Sequence, residues 1–270
     1  MAALPLAGIS SFEALFAPRA DLWQRWTRHD PASSVRIDHG PWAAFLARYV
    51  RPGDDGINRV AYGQVTAADR AALEAYLSAL AAVPVDGLNR DRQMAFWINL
   101  YNALTVRLIL DYAPKESIRD IDISPGLFSD GPWGRKLVRV AGEDVSLNDI
   151  EHRILRPVWR DPRVHYAVNC ASLGCPNLWP EPFRAGDLAA QLDAAARAYV
   201  NHPRGARVHG GKLTVSSIYV WFGGDFGGGA GVLAHLRRYA GEALLKDLAP
   251  ITGIADHAYD WRLNAAGRGS

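Results

Sequence analysis

The sequence predicts an α/β or α+β fold: a single domain of several helices around a small sheet, with one buried helix at its centre. Three observations predict it. Residues 90–112 (RDRQMAFWINLYNALTVRLILDY) are apolar nearly all round from Met94 to Leu110, the mark of a helix enclosed by other elements. Several other stretches show helical spacing. Short apolar or alternating runs at 136–141, 164–169, 207–209 and 212–215, bounded by Gly, Pro and Asp, read as strands. With 270 residues, 49% of them hydrophobic, and a net charge of +2, the chain can bury a sizeable core.

The elements follow in order. Residues 1–40 are amphipathic at best, with Phe12, Leu15 and Phe16, then Leu22, Trp23 and Trp26, as covering groups. They are expected to form an extension packed on a domain spanning 41–245, with 246–270 as a ragged tail. Pro41 suits the first turn of a helix carrying Trp42, Phe45, Leu46 and Tyr49 on one face. Thr66 reads as the N-cap of the Ala-rich helix that follows. On the 90–112 helix, Asn99, Asn102 and Thr105 form a polar stripe three residues apart. Buried amides need partners, so the stripe either clamps neighbouring loops or faces a site.

An extended piece is expected at 117–124 and a loop with an exposed Trp133 at 129–135. A small hairpin over 138–147 turns at Gly142-Glu143-Asp144. Ser146, with Asp149 three residues on, opens a helix that Pro157 closes. Glu151 falls on the apolar face of that helix, beside His152 and Arg156. A carboxylate there is paired, neutralised or part of a site. Asp187 to Val200 is amphipathic and helical. Gly210-Gly211 marks a second hairpin, Ser216 or Ser217 can cap a helix at 218–222, and GGDFGGG (223–229) reads as a flexible loop.

The stretch 164–178, VHYAVNCASLGCPNL, holds both cysteines. It reads as an interior strand ending at Cys170, followed by a turn of small residues, Ala171, Ser172 and Gly174. Such a turn lets the amides near Ala171 and Ser172 approach an oxyanion. A helix starting there would activate the thiol. Cys170 as nucleophile, His165 or His152 as base and Glu151 as orienting carboxylate are the parts of an activated thiol. Asn99, Asn102, Arg156 and Ser172 are the expected binding or supporting groups. The alternatives are a purely structural polar centre, a zinc site formed by Cys170, Cys175 and a histidine, and a reversible disulfide. The remaining histidines, at 29, 39, 202, 209, 235 and 257, are expected on the surface.

These same segments resemble the DUF-547 family, a domain of unknown function found in bacteria, plants and animals. The resemblance runs through AFWINLYNALTVRLIL (95–110), SLNDIEHRILR (146–156), DPRVHYAVNCASLGCPNL (161–178), LDAAARAYVN (192–201) and LTVSSIYVWFGGDF (213–226). It implies that Asn99, Asn102, Glu151, His152, Arg156, His165, Cys170 and Cys175 occupy the family's motif positions, and it implies no activity. The acid and histidines here precede the cysteine. In papain-like and transglutaminase-like enzymes they follow it, so a thiol-hydrolase analogy needs a permuted or convergent arrangement.

Scattered Lys and Arg give no nucleic-acid footprint, and no run reaches the roughly 18–20 apolar residues of a membrane span. Two cysteines make no disulfide framework, the N-terminus lacks a basic n-region, and a cytoplasmic location is expected. No phosphate-loop pattern is present and no cofactor is expected. The ligand class expected is a small molecule or peptide-like group. The function expected is a cysteine-dependent hydrolase or acyl/peptidyl transferase. Its rival is a non-enzymatic binding module.

Overall fold

A computed structural model describes residues 17–125 and 131–267. The fold is α+β, and the described residues group into two compact units, one of 20–196 with 260–267 and one of 197–259 with 17–19. Phe12, Leu15 and Phe16 lie outside the described residues.

In the larger unit the central helix spans the residues its spacing indicates. Helix α1 (Gly40–Tyr49) buries Trp42, Phe45, Leu46 and Tyr49. Helix α2 (Ala67–Ala81) buries Leu73, Tyr76, Leu77 and Leu80, and the Thr66 hydroxyl accepts from the Asp69 amide at its start. Helix α3 (Arg90–Tyr112) is capped by Asn89 and buried without interruption from Gln93 to Val106. Each fully buried Leu or Phe in these faces contributes about 1.5–3 kcal/mol.

Helix α3 ends with Ala113 at φ 44°, its amide reaching back to the Ile109 carbonyl. An exposed alanine in this left-handed cap position carries strain that glycine lacks. Ala113→Gly is therefore expected to stabilise the protein by about 1 kcal/mol and raise Tm by about 2–4 °C, measurable by calorimetry.

Short elements surround this frame. Strands β1 (Val50–Arg51) and β2 (Arg59–Val60) pair antiparallel. The expected extended piece at 117–124 instead holds a 3-10 turn, Ile118–Asp120, because Ser117 and Asp120 cap each other. Trp133 is half-buried, edge-on to Trp261. Strands β3 (Val138–Val140) and β4 (Glu143–Val145) form the expected hairpin. Its turn lies one residue earlier than expected, at Ala141-Gly142, both with positive φ as a tight two-residue hairpin requires.

The helix opened by Ser146 differs most from expectation. Asp149–Leu155 is a π-helix that runs on into α4 (Arg156–Trp159), so Pro157 lies inside the helical run instead of closing it. Pro157 has no N–H to offer a carbonyl in the preceding turn. The carbonyls of His152 and Arg153 accept from the Asp21 and Trp23 amides instead, both at 3.0 Å. The wide turn thus has a backbone cause, and wide turns of this kind recur at functional sites.

The expected strand at 164–169 is also corrected. Val164–Ala167 is one turn of helix, α5, and the chain extends only from Val168. A short apolar run does not distinguish the two by periodicity. The turn beyond Cys170 pairs with the chain's far end. The amides of Leu173 and Gly174 donate to the carbonyls of Arg262 and Asp260, and the Asn264 amide donates to Ala171.

After a Trp- and Pro-containing loop comes α6 (Leu188–Val200), close to its expected span. In the smaller unit, β5 (Ala206–His209) and β6 (Lys212–Ser216) form the hairpin expected at Gly210-Gly211. Helix α7 (Ile218–Trp221) follows, with the Ser216 hydroxyl accepting from the Ile218 amide. The glycine-rich stretch is helical instead of a loose loop: a 3-10 turn, Gly223–Phe226, leads into α8 (Gly228–Tyr239). The expected irregular tail holds α9 (Glu242–Leu248) and β7 (Ile254–Ala258), the latter parallel to β6. No helix among the described residues is long and apolar enough to cross a membrane.

Candidate functional site

The polar stripe of α3 is spent on backbone. Asn102 Nδ2 donates to the Ala167 carbonyl at 2.8 Å, and its Oδ1 accepts from the Asn169 amide at 2.9 Å. Asn99 does the same to Phe183, at 2.8 and 3.0 Å. The Thr105 hydroxyl turns back to the Tyr101 carbonyl of its own helix. The two asparagines therefore act as clamps, Asn102 on the segment that enters Cys170 and Asn99 on the loop at Phe183.

Asn169 continues the clamp. Its Nδ2 donates to the Pro176 carbonyl and its Oδ1 accepts from the Ala171 amide, drawing both arms of the cysteine turn together. The Asn264 side chain reaches the same Oδ1 at 3.3 Å, while Tyr62 donates to Asn264. This closes the turn and corrects two expectations. The Ala171 amide is committed to Asn169 and not open to an oxyanion, and no helix begins after Cys170. Ala171 instead sits at φ 59°, a left-handed conformation that costs an alanine about 1 kcal/mol and is held by these bonds.

Within the turn both cysteines are thiols. Cys175 is buried, its sulfur accepting from the Cys170 amide at 2.9 Å. Cys170 is partly exposed, with its sulfur 3.3 Å from the buried Ser172 hydroxyl. Cys175 thus supports the backbone that presents Cys170.

The second cluster gathers on the π-helix. Glu151 Oε2 accepts from the Tyr101 hydroxyl at 3.1 Å. Its Oε1 stands 3.8 Å from His165 Nδ1 on α5 and 4.0 Å from His152 Nδ1. Arg156 donates to His152 Nδ1 at 3.0 Å. Burial holds the Tyr101 phenol well above its usual ionisation range, and the nearby Glu151, Cys170 and Cys175 push it further, so it remains a donor. Tyr101 bonds to the carboxylate and feels the charge of the thiols. The sequence reading missed it because a tyrosine on an apolar helix reads as core.

His39, expected on the surface, is a second omission. Its Nδ1 lies 2.7 Å from Tyr76 Oη and its Nε2 lies 3.4 Å from Asn99 Nδ2. Burial, and then the Arg184 charge, lower its pKa from 6.5 to about 4 against the opposing pull of Asp38. Protonation therefore favours the unfolded chain. The stability contributed is complete above pH 6.5 and is lost as pH falls toward 4, on the order of 2–3 kcal/mol. Subtracting the Tm–pH curve of His39→Gln from that of the parent should isolate this acid-side loss.

Among the described residues, no group of three or more His, Cys, Asp or Glu side chains is placed to hold a metal ion, so the zinc alternative lacks its ligand set. The structure shows a clamped thiol turn and two imidazoles beside one carboxylate, with Tyr101 bonded to that carboxylate and sensitive to the charge of the thiols. No curated protein and no solved structure gives a match to the chain. One family model, described as "Protein of unknown function, DUF547", matches residues 85–200, which leaves the 213–226 segment outside it. Residues 85–200 hold every candidate residue named for the thiol site, and over them the chain is similar to the DUF547 family.

Proposed function

We propose a cysteine-dependent hydrolase or acyl/peptidyl transferase acting on a small peptide-like or amide substrate. Cys170 is the nucleophile, His165 its base and Glu151 the group that orients His165. The observation that carries the reading is the placement of Glu151: one oxygen is held by Tyr101 and the other faces His165 Nδ1 at 3.8 Å. A ring oriented through Nδ1 presents Nε2 as proton acceptor. In the reaction His165 takes the thiol proton as sulfur bonds to the carbonyl carbon. The C–N bond then breaks, and the departing amine takes that proton. Water or an acceptor amine attacks the thioester and releases Cys170.

The test is intact-mass analysis after incubation with activated esters and peptide anilides. The expected result is one acyl adduct on Cys170, absent in Cys170→Ala and slowed in His165→Asn. Turnover that persists in Cys170→Ala would overturn the reading.

A second reading is a non-enzymatic binding module with a structural polar centre. It draws support from the commitment of Asn99, Asn102 and the Ala171 amide to internal bonds. Under it, Cys170→Ala and Glu151→Gln lower Tm, and ligand-induced gains in Tm survive Cys170→Ala.

A further inference from the structure

We propose that Cys170 and Cys175 form a site of reversible thiol oxidation, in which a peroxide oxidises Cys170 and Cys175 closes a disulfide onto it. The consequence, a nucleophile switched off, rests on the thiol-site reading; the bridge itself does not.

The placement of the two thiols carries the proposal. Only Ala171, Ser172, Leu173 and Gly174 separate them in the chain. One carboxamide holds the residue after each cysteine: Asn169 Oδ1 accepts from the Ala171 amide at 2.9 Å, and its Nδ2 donates to the Pro176 carbonyl at 2.7 Å. The Cys175 amide donates to the Ser172 carbonyl at 3.2 Å, which folds the segment back on itself. The Cys175 sulfur thereby lies 2.9 Å from the Cys170 amide nitrogen. That nitrogen is two bonds from the Cys170 Cβ, so the Cys175 sulfur is within about 5.5 Å of the carbon that bears the other sulfur. A disulfide sets the two Cβ carbons about 3.5–4.5 Å apart. Rotation of the two side chains, with a small shift in a turn held by hydrogen bonds, closes the remainder.

Exposure sets the order of events. Cys170 is partly exposed, whereas Cys175 is buried with its S–H facing the Val168 carbonyl at 3.8 Å. Oxidation follows access, so a peroxide meets Cys170 first. The Cys170 thiol gives up its proton and its sulfur attacks one peroxide oxygen. The O–O bond breaks, the sulfur keeps a hydroxyl, and the other oxygen leaves with that proton as water or an alcohol. Cys175 then gives up its proton and attacks the oxidised sulfur. The S–S bond forms, the S–O bond breaks, and the hydroxyl leaves with the second proton as water. The two electrons lost by the thiol pair reduce the peroxide, and a dithiol reductant returns them. Cys175, which has no part in acyl transfer, here spares Cys170 from the irreversible acids further up the oxidation ladder.

The test treats the full chain with a small excess of hydrogen peroxide and maps its peptides by mass without reduction. One link between Cys170 and Cys175 within the chain is expected, with the loss of two hydrogen atoms. Iodoacetamide labelling of Cys170 should fall by about tenfold or more, and dithiothreitol should restore it. In Cys175→Ser, Cys170 should instead gain two or three oxygen atoms that dithiothreitol does not remove. Such acids at Cys170 of the parent while Cys175 stays a thiol, or a link formed only between chains, overturns the proposal. If Cys175→Ser does not fold, the peptide map of the parent alone decides. Acylation is a separate readout: a missing acyl adduct would sink the thiol-enzyme reading with the bridge intact, and a missing bridge would leave that reading standing.

Discussion

Asn102→Ala is expected to lower folding stability by about 3–5 kcal/mol. The side chain satisfies two buried backbone groups at once, the Ala167 carbonyl and the Asn169 amide. Each such group left without a partner costs about 1–3 kcal/mol, and the vacated volume adds to this. Urea titration should show a lower midpoint with an unchanged slope. Thr105→Ala, one turn along the same stripe, is the internal comparison. It loses only a bond to its own helix and should cost about 1 kcal/mol or less. Equal losses at the two positions would mean that the clamp on the cysteine segment does not carry the energy assigned to it.

Asp149→Ala is expected to cost about 3–4 kcal/mol and to loosen the π-helix. The buried carboxylate accepts from the Ser146 amide at 2.8 Å, the Ser146 hydroxyl at 2.7 Å and Arg153 at 3.0 Å, and it also pairs with Lys136. Burial alone would raise its pKa. Lys136, then the Ser146 hydroxyl and amide and Arg153, outweigh that and bring it below the ordinary carboxylate value. The sign follows from the lowered folded value. The stabilisation is present above about pH 4 and is lost as pH falls through the folded pKa. The stability gap between parent and Asp149→Ala, measured by denaturant titration at several pH values, should therefore narrow at acid pH. A gap that widened instead would contradict the assignment.

Local signals in the sequence were the legible ones. The apolar run of α3, the caps at Thr66 and Ser146, and the two Gly-containing hairpins each depend on residues a few positions apart, and each is found, the first hairpin's turn one residue earlier than expected. Three things were not legible. The π-helix has the same apolar spacing as an α-helix, and its cause combines Pro157 with amides about 130 residues earlier. The turn at 164–167 is too short for its periodicity to declare it. The bonds that hold the cysteine turn come from Asn102, Tyr62 and Asn264, and Asn264 lies in a stretch that reads as tail.

The candidate site divides along the same line. Cys170, His165, Glu151 and His152 were legible as residue types suited to chemistry. Tyr101 and His39 were not, because a tyrosine on an apolar helix and a histidine in a polar segment look ordinary until their partners are known.

The most direct test of the central claim is the rate of iodoacetamide alkylation at Cys170, followed by peptide mass mapping from mildly acidic to alkaline pH. The account predicts that Cys170 reacts readily below the ionisation range of an ordinary thiol, about pH 8.5, while the enclosed Cys175 stays unlabelled. It further predicts that Glu151→Gln and His165→Asn each slow labelling by about tenfold or more near neutral pH. A Cys170 that reacts only as an ordinary thiol does, at a rate indifferent to both substitutions, would contradict it.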